Sequence, residues 1–367
     1  MSTSTPPTRC SEALLAAAAA AVAVLALLPC SGARAADPAT DGPVTGSPPA
    51  QRGVALGLYS EDPDWDYGGF LDEIVAAGAT HVSIVVPWYI ATIRDTEVFA
   101  HPRYTVPMPT VERCILGARA RGLEVFLFPI LRVDDSSDGG WRGALAPRDV
   151  DAFFASYSEF ILRFATLAER LCVPLLSIGS ELGSMEVHER YWRALISRVR
   201  EVYAGALTYS SNWDRYEQVE FFDDLDYAGV TGYFELVDKN RNPPPEPDIE
   251  ELVHGWREQH LLLLRWQRRV DRPLILTEVG YLSQRGAAAR PWDEGADEPI
   301  DLELQRRCYE AVRRVWDGER RLAGLYFWNW FGWGGPDSKE YTPRGKPAAA
   351  EVAAWYRAGA TGSAPSP

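Results

Sequence analysis

The sequence predicts an α/β protein built as a single (β/α)8 TIM barrel with elaborated βα loops. Three observations predict it. Eight short, branched apolar runs alternate with helix-like runs along the chain. The turns leading from helix to strand are terse, whereas several leading from strand to helix are long. Two of the strand-like runs end in a glutamate, Glu181 and Glu278, on the side where the long loops lie.

In chain order the expected strands are Val54–Leu58, His81–Val86, Leu123–Leu131, Leu175–Gly179, Ala206–Ser210, Tyr227–Thr231, Leu274–Thr277 and Leu322–Phe327. Runs of this length and branching suit strands buried on both faces of a parallel sheet. Between them, helical patterns cover Phe70–Ala77, Thr110–Arg121, Asp149–Leu171, Glu189–Tyr203, Glu250–Val270 and Asp301–Asp317. The period is clear where Trp192, Leu195, Ile196 and Val199 share one face. The fifth strand lacks a long helix after it, and Tyr216–Phe222 has room only for a short one. A doubly wound sheet would share this alternation. The loops favour a barrel: Gly78-Ala79-Thr80, Arg121-Gly122, Ala204-Gly205 and Asp271-Arg272 are tight, while Pro87–Pro109, Arg132–Arg148, Glu278–Ile300 and Trp328–Lys346 are extended. A barrel elaborates the face that works and keeps the opposite face short.

Residues 1–35 read as a signal peptide: Arg9 precedes an apolar run from Leu14 to Leu28, and Ala33-Arg34-Ala35 fits a small-x-small cleavage site. Export to the cell envelope, the periplasm or the medium is therefore expected, with no stable membrane insertion after cleavage. Residues 36–50 read as a flexible linker, 51–358 as the barrel and 359–367 as a disordered tail. Removing residues 1–35 takes away Arg9, Arg34 and Glu12 and leaves 35 basic and 50 acidic residues, net −15. Such a surface repels nucleic acid and anionic lipid and suits a neutral substrate. Cys114, Cys172 and Cys308 make no zinc spacing; one bridge is open to them, and buried thiols are the default. The five histidines show no metal spacing, and no dinucleotide or phosphate-loop motif occurs, so neither metal nor cofactor is expected. A monomer is expected.

A carboxylate where a buried strand surfaces is costly to hold unless it is paired or used. Strands four and seven face each other across a barrel mouth, so Glu181 and Glu278 can flank a sugar, as a retaining glycosidase requires of its two acids. A structural ion pair at each strand end is the competing reading. Aromatic residues crowd the same face: Trp88 and Tyr89 after strand two, Trp213, Tyr233 with Phe234, Tyr281 and Trp292, then Trp328, Trp330, Phe331 and Trp333. Sugar rings present apolar C–H faces to such platforms. Asn212 can bond a sugar hydroxyl or make an Asx turn. Tyr233 can donate to a carboxylate and keep it ionised.

In order along the chain, Val82–Tyr89, Gly140-Trp-Arg-Gly143, Ile178-Gly-Ser-Glu-Leu182, Leu207–Asn212, Leu225–Tyr233, Leu276-Thr-Glu-Val-Gly-Tyr281, Pro291-Trp-Asp293, Phe327-Trp-Asn-Trp330 and Gly345-Lys-Pro347 resemble glycoside hydrolase family 113, a β-mannanase family of retaining barrels. The resemblance implies Glu181 as acid/base, Glu278 as nucleophile, and Trp328 or Trp330 as the platform under the cleaved sugar; Trp88 and Asn212, from their places after strands two and five, are expected among the substrate contacts. It implies an oligo- or polysaccharide substrate, β-1,4-mannan or a related β-glycan. After strand three the family pattern has Lys-Pro-His where this chain has Phe128-Pro129-Ile130. That loss of polarity leaves a non-catalytic or weakly active carbohydrate-binding barrel as the alternative, and a trans-glycosylating envelope enzyme as a third reading.

Overall fold

A computed structural model of the chain describes residues 49–135, 140–240 and 246–358. The expected signal segment, residues 36–48 of the expected linker and the expected tail lie outside the described residues.

Eight parallel strands form the barrel: β1 Gln51–Gly57, β2 His81–Ile90, β3 Glu124–Val133, β4 Leu175–Ser180, β5 Ala206–Ser211, β6 Tyr227–Thr231, β7 Leu274–Val279 and β8 Leu322–Phe327. Each pairs with the next, and β8 pairs back to β1, so the sheet closes. Closure separates this fold from a doubly wound sheet, which keeps two edges. A two-residue strand, Val98–Phe99, adds antiparallel to the end of β2. Among the described residues seven helices surround the barrel: α1 Gly68–Ala76, α2 Met108–Ala120, α3 Val150–Arg170, α4 Glu189–Val202, α5 Ile249–Val270, α6 Leu302–Trp316 and α7 Pro347–Ala358. Between β5 and β6 two single 3-10 turns, Tyr216–Gln218 and Phe222–Asp224, stand in for a helix.

Local chemistry explains the starts and stops. Asp149, Asp248 and Asp301 each precede a helix and accept a backbone N–H from its first turn, at 3.0, 2.9 and 2.8 Å. Gly78 and Gly122 end their helices with φ of +88° and +79°, which lets the chain turn at once into β2 and β3. β2 runs past its expected end at Val86: Pro87 to Ile90 continue the strand, because β3 runs beside it to Val133 in unbroken register. Helix α7 was not anticipated, although a proline at its first position and an alanine run mark it. Cys114 and Cys308 are buried free thiols as expected. Cys172 is disulfide-bonded.

The barrel interior is identified by contacts between strands that are not neighbours. Phe126 on β3 stacks on Phe128 at 4.9 Å and meets Tyr326 of β8 edge-on at 5.2 Å. On the other side Ser210 of β5 bonds Thr277 of β7, and Gly229 of β6 lies between them. A methyl group at Gly229 would lie 2.4 Å from the Tyr209 carbonyl and 2.7 Å from Thr208 Oγ1. Gly229→Ala is therefore expected to cost about 1–3 kcal/mol through overpacking. Chemical denaturation of the two proteins side by side checks this, and equal midpoints would contradict it.

Candidate active site

Both strands that carry a glutamate contain one extra residue just before it. Between Ser177 and Ser180 β4 advances three positions while β5 advances two, from Thr208 to Ser210. Between Leu276 and Glu278 β7 advances two while β6 advances one, from Val230 to Thr231. An unpaired extra residue bends a strand and re-aims the next side chain. Here it turns Glu181 and Glu278 into a cleft of about 1790 Å³ at the end of the barrel where the long loops lie. Tyr59, Arg142, Asn212, Tyr233 and Trp328 line the same cleft.

Glu181 follows β4 with φ of +54°, a left-handed conformation uncommon for a residue with a side chain. Three hydrogen bonds hold it there. Its own N–H donates to the Ser210 carbonyl at 2.8 Å, the next N–H, of Leu182, donates to the Tyr209 hydroxyl at 2.9 Å, and Arg142 Nη2 donates to Glu181 Oε2 at 2.7 Å. Glu278 is 2% exposed. Its Oε2 accepts from the Tyr233 hydroxyl at 2.8 Å, while Oε1 is buried without a protein partner. Burial pushes the Glu278 carboxyl up to about 8; the charge of Glu181 pushes the same way, while Arg142 and the Tyr233 hydroxyl oppose it. Burial also pushes the Tyr233 phenol well above its ordinary range, so it stays a donor. Burial and the neighbouring charge of Glu181 thus both work against an ionised Glu278.

Asn212 lines the cleft; its Oδ1 accepts from Trp213 N at 3.0 Å and from Thr231 Oγ1 at 3.3 Å, which fixes the amide plane. The strand-eight tryptophans separate: Trp328 lines the cleft, whereas Trp330 turns away and its Nε1 donates to Glu73 at 2.9 Å. Trp88 does not line the cleft either. Within the extended β2 it points outward onto α3, against Phe160 at 5.1 Å and Phe164 at 6.0 Å. Of the other rim aromatics, Trp213, Trp292, Phe331 and Trp333 line the cleft, while Phe234 packs on Trp256 and Tyr281 is fully buried. The strand-three substitution also divides. Phe128 belongs to the barrel interior, and Ile130 lines the cleft with Arg132 two residues further on. Among the described residues no three His, Cys, Asp or Glu side chains converge as a metal would need.

Three further residues of the site carry no sequence signal that marks them. Arg142 lay inside a noted motif, Gly140-Trp-Arg-Gly143, but nothing in the sequence tied it to Glu181. Tyr59 lies just after β1, where no charge marked it. Glu186 is buried behind Glu181, and its Oε1 accepts from the Tyr209 hydroxyl at 2.9 Å and from Ser211 Oγ at 3.2 Å. Tyr209 thus links Glu186 to the turn that carries Glu181.

The sequence model of glycoside hydrolase family 113 matches residues 68–350. No protein of curated function matches the chain. Among solved structures the chain is similar to the family 113 β-mannanase from Alicyclobacillus acidocaldarius in complex with ManMIm, at 25% identity and a TM-score of 0.75, covering 86% of this chain and 99% of that one. It is similar to a second family 113 β-1,4-mannanase at 22% identity and 0.74, covering 85% and 99%. A β-glucuronidase from Faecalibacterium prausnitzii shares the fold at 14% identity and 0.59, with 85% of this chain matched to 49% of that one.

The Glu186 network makes a prediction about pH. Burial raises the Glu186 carboxyl to about 7, against the hydrogen bonds from Tyr209 and Ser211 and the charge of Arg215. The folded state therefore favours the neutral acid. Below the ordinary value of 4.5 both states are protonated and there is no penalty. As pH rises from 4.5 to 7 the unfolded chain ionises first, and folding stability falls. Glu186→Gln should remove this loss, gaining on the wild type by up to about 3 kcal/mol across that window. Denaturation curves at pH 4.5, 6 and 7.5 check it; a constant difference between the two proteins would contradict it.

Proposed function

The chain belongs to glycoside hydrolase family 113, and from that premise we propose that it cleaves β-1,4-mannan, or a closely related β-glycan, with retention of configuration. The observation that carries the mechanism is the buried carboxylate pair with its two different partners, a phenol on Glu278 and a guanidinium on Glu181.

Glu278 Oε1, the oxygen with no protein partner, is the atom that attacks the anomeric carbon. Tyr233 holds the other oxygen, orients the carboxylate and stabilises its ionised form. As the bond from Glu278 forms, the bond to the leaving oxygen breaks and Glu181 gives that oxygen its proton. A glycosyl ester on Glu278 results. In the second half Glu181, now ionised, takes a proton from a water. The water oxygen bonds the anomeric carbon and frees Glu278. The cycle uses one proton, which Glu181 gives to the leaving oxygen in the first half and recovers from the water in the second. Arg142 fixes Glu181 in reach of the leaving oxygen. Trp328 supplies an apolar face for the sugar and Asn212 an amide for its hydroxyls.

A non-catalytic reading loses its main support. The apolar Phe128 replaces a polar residue inside the barrel packing rather than in the cleft lining, which leaves Ile130 as the one changed contact there. The protein is further read as exported and monomeric, with residues 1–35 removed.

Glu278→Gln should lower turnover of mannohexaose by at least about a thousandfold with folding intact. Glu181→Ala should spare aryl mannosides with good leaving groups far more than mannan, because acid assistance matters least there. Chromatographic product assays check both. Wild-type turnover retained by Glu278→Gln would remove the proposed nucleophile, and equal losses on both substrate types would remove the acid role of Glu181. Mass spectrometry of the exported protein should find an N-terminus near Ala36; an intact Met1 there would rule out cleavage.

A further inference from the structure

The loop after β8 displays an indole that packs on almost nothing. Trp333 is 92% exposed, although Trp is among the residues most buried on average. An exposed side chain on a slack loop would mean little. This loop is braced on every side. Phe331 meets the ring of Tyr59 at 5.7 Å and that of Phe70 on α1 at 5.7 Å. Its N–H donates to Asn329 Oδ1 at 2.7 Å. Arg344 bonds both oxygens of Glu73, at 2.5 and 2.6 Å, and lies over the Phe70 ring at 4.6 Å. From that anchor it clasps the loop twice, its Nη1 donating to the Gly332 carbonyl and its own carbonyl accepting from Gly335 N at 2.7 Å. Gly332, Gly334 and Gly335 have φ of +114°, +66° and +84°, and a methyl group on Gly334 would lie 2.2 Å from the Arg344 carbonyl. The loop therefore folds inward onto Arg344 and turns Trp333 out.

Trp333 lines the same cleft as Glu181 and Glu278, as does Trp292, 42% exposed, on the loop after β7. An indole on a held backbone at the wall of a glycan cleft loses only its own rotamer freedom on binding and offers a flat apolar face. We propose that Trp333 is a distal binding platform that stacks one pyranose ring of a glycan chain already engaged at the carboxylate pair. This rests on the reading of the protein as a mannan-cleaving hydrolase and deepens it. The platform makes the protein a reader of chain length, one that favours polymer over short oligosaccharides.

The test compares the wild type, Trp333→Ala and Trp333→Phe on mannotriose, mannohexaose and soluble mannan. Stacking is worth about 0.5–1.5 kcal/mol. The ratio of kcat/KM for mannohexaose to that for mannotriose should thus fall about three- to tenfold in Trp333→Ala, mainly through KM, and recover largely in Trp333→Phe. An unchanged ratio, or a loss shared equally by mannotriose, would overturn the platform. If the wild type cleaves no mannan, it is the substrate reading that fails. The platform is then tested by electrophoresis in gels containing mannan, xylan or cellulose. Retardation of the wild type that is lost in Trp333→Ala would support it, and equal mobility of the two proteins in every gel would overturn it.

Discussion

Holding two carboxylates in one water-poor barrel mouth is the constraint on which the rest of this structure depends. Each ion is costly to bury, and each makes the other costlier. Several features answer that cost. An extra residue in β4 and in β7 sets the aim of each acid. Arg142 is brought to one of them and Tyr233 to the other, from different loops. Behind them Glu186, Tyr209 and the turn at Leu182 form a second polar layer in an otherwise apolar wall. A closed parallel barrel suits the task, since its strands deliver side chains from all sides to one opening while its far end carries only short turns.

The barrel divides its labour by face. Gly78, Gly122 and Asp271 take left-handed conformations that reverse the chain between helix and strand. At the opposite face the chain wanders, yet it is tied down by polar contacts. Lys346, 5% exposed, donates to Ser283 Oγ at 2.8 Å and to the Glu340 carbonyl at 2.7 Å. Lys339 reaches Asp297 at 2.6 Å. Burial lowers the Lys346 ammonium to about 8, so it remains charged at neutral pH and keeps donating.

Much of this was legible in the sequence because it follows from period and punctuation. Strand and helix patterns located eight strands and six helices, and the segment after β5 showed room only for a short helix, where two 3-10 turns stand. Glutamates at strand ends and a tyrosine after β6 were visible because acids and phenols stand out against apolar runs. What sequence could not carry was facing. Strand positions alternate, so Trp88 and Trp330 looked as well placed as Trp328 until the register was known. The extra residues in β4 and β7 leave no compositional trace. Arg142 reaches Glu181 across 39 positions, a pairing set by how the loop after β3 folds back.

The contacts among Ser283, Lys346, Lys339 and Asp297 have a further consequence. They stitch the segments after β7 and β8 into one mechanical piece, a single jaw of the cleft hinged on neither strand alone. Recombination that swapped only the segment after β7 would sever the stitching and leave the buried Lys346 ammonium with the Glu340 carbonyl alone. Such a jaw would have to be engineered as a paired cassette.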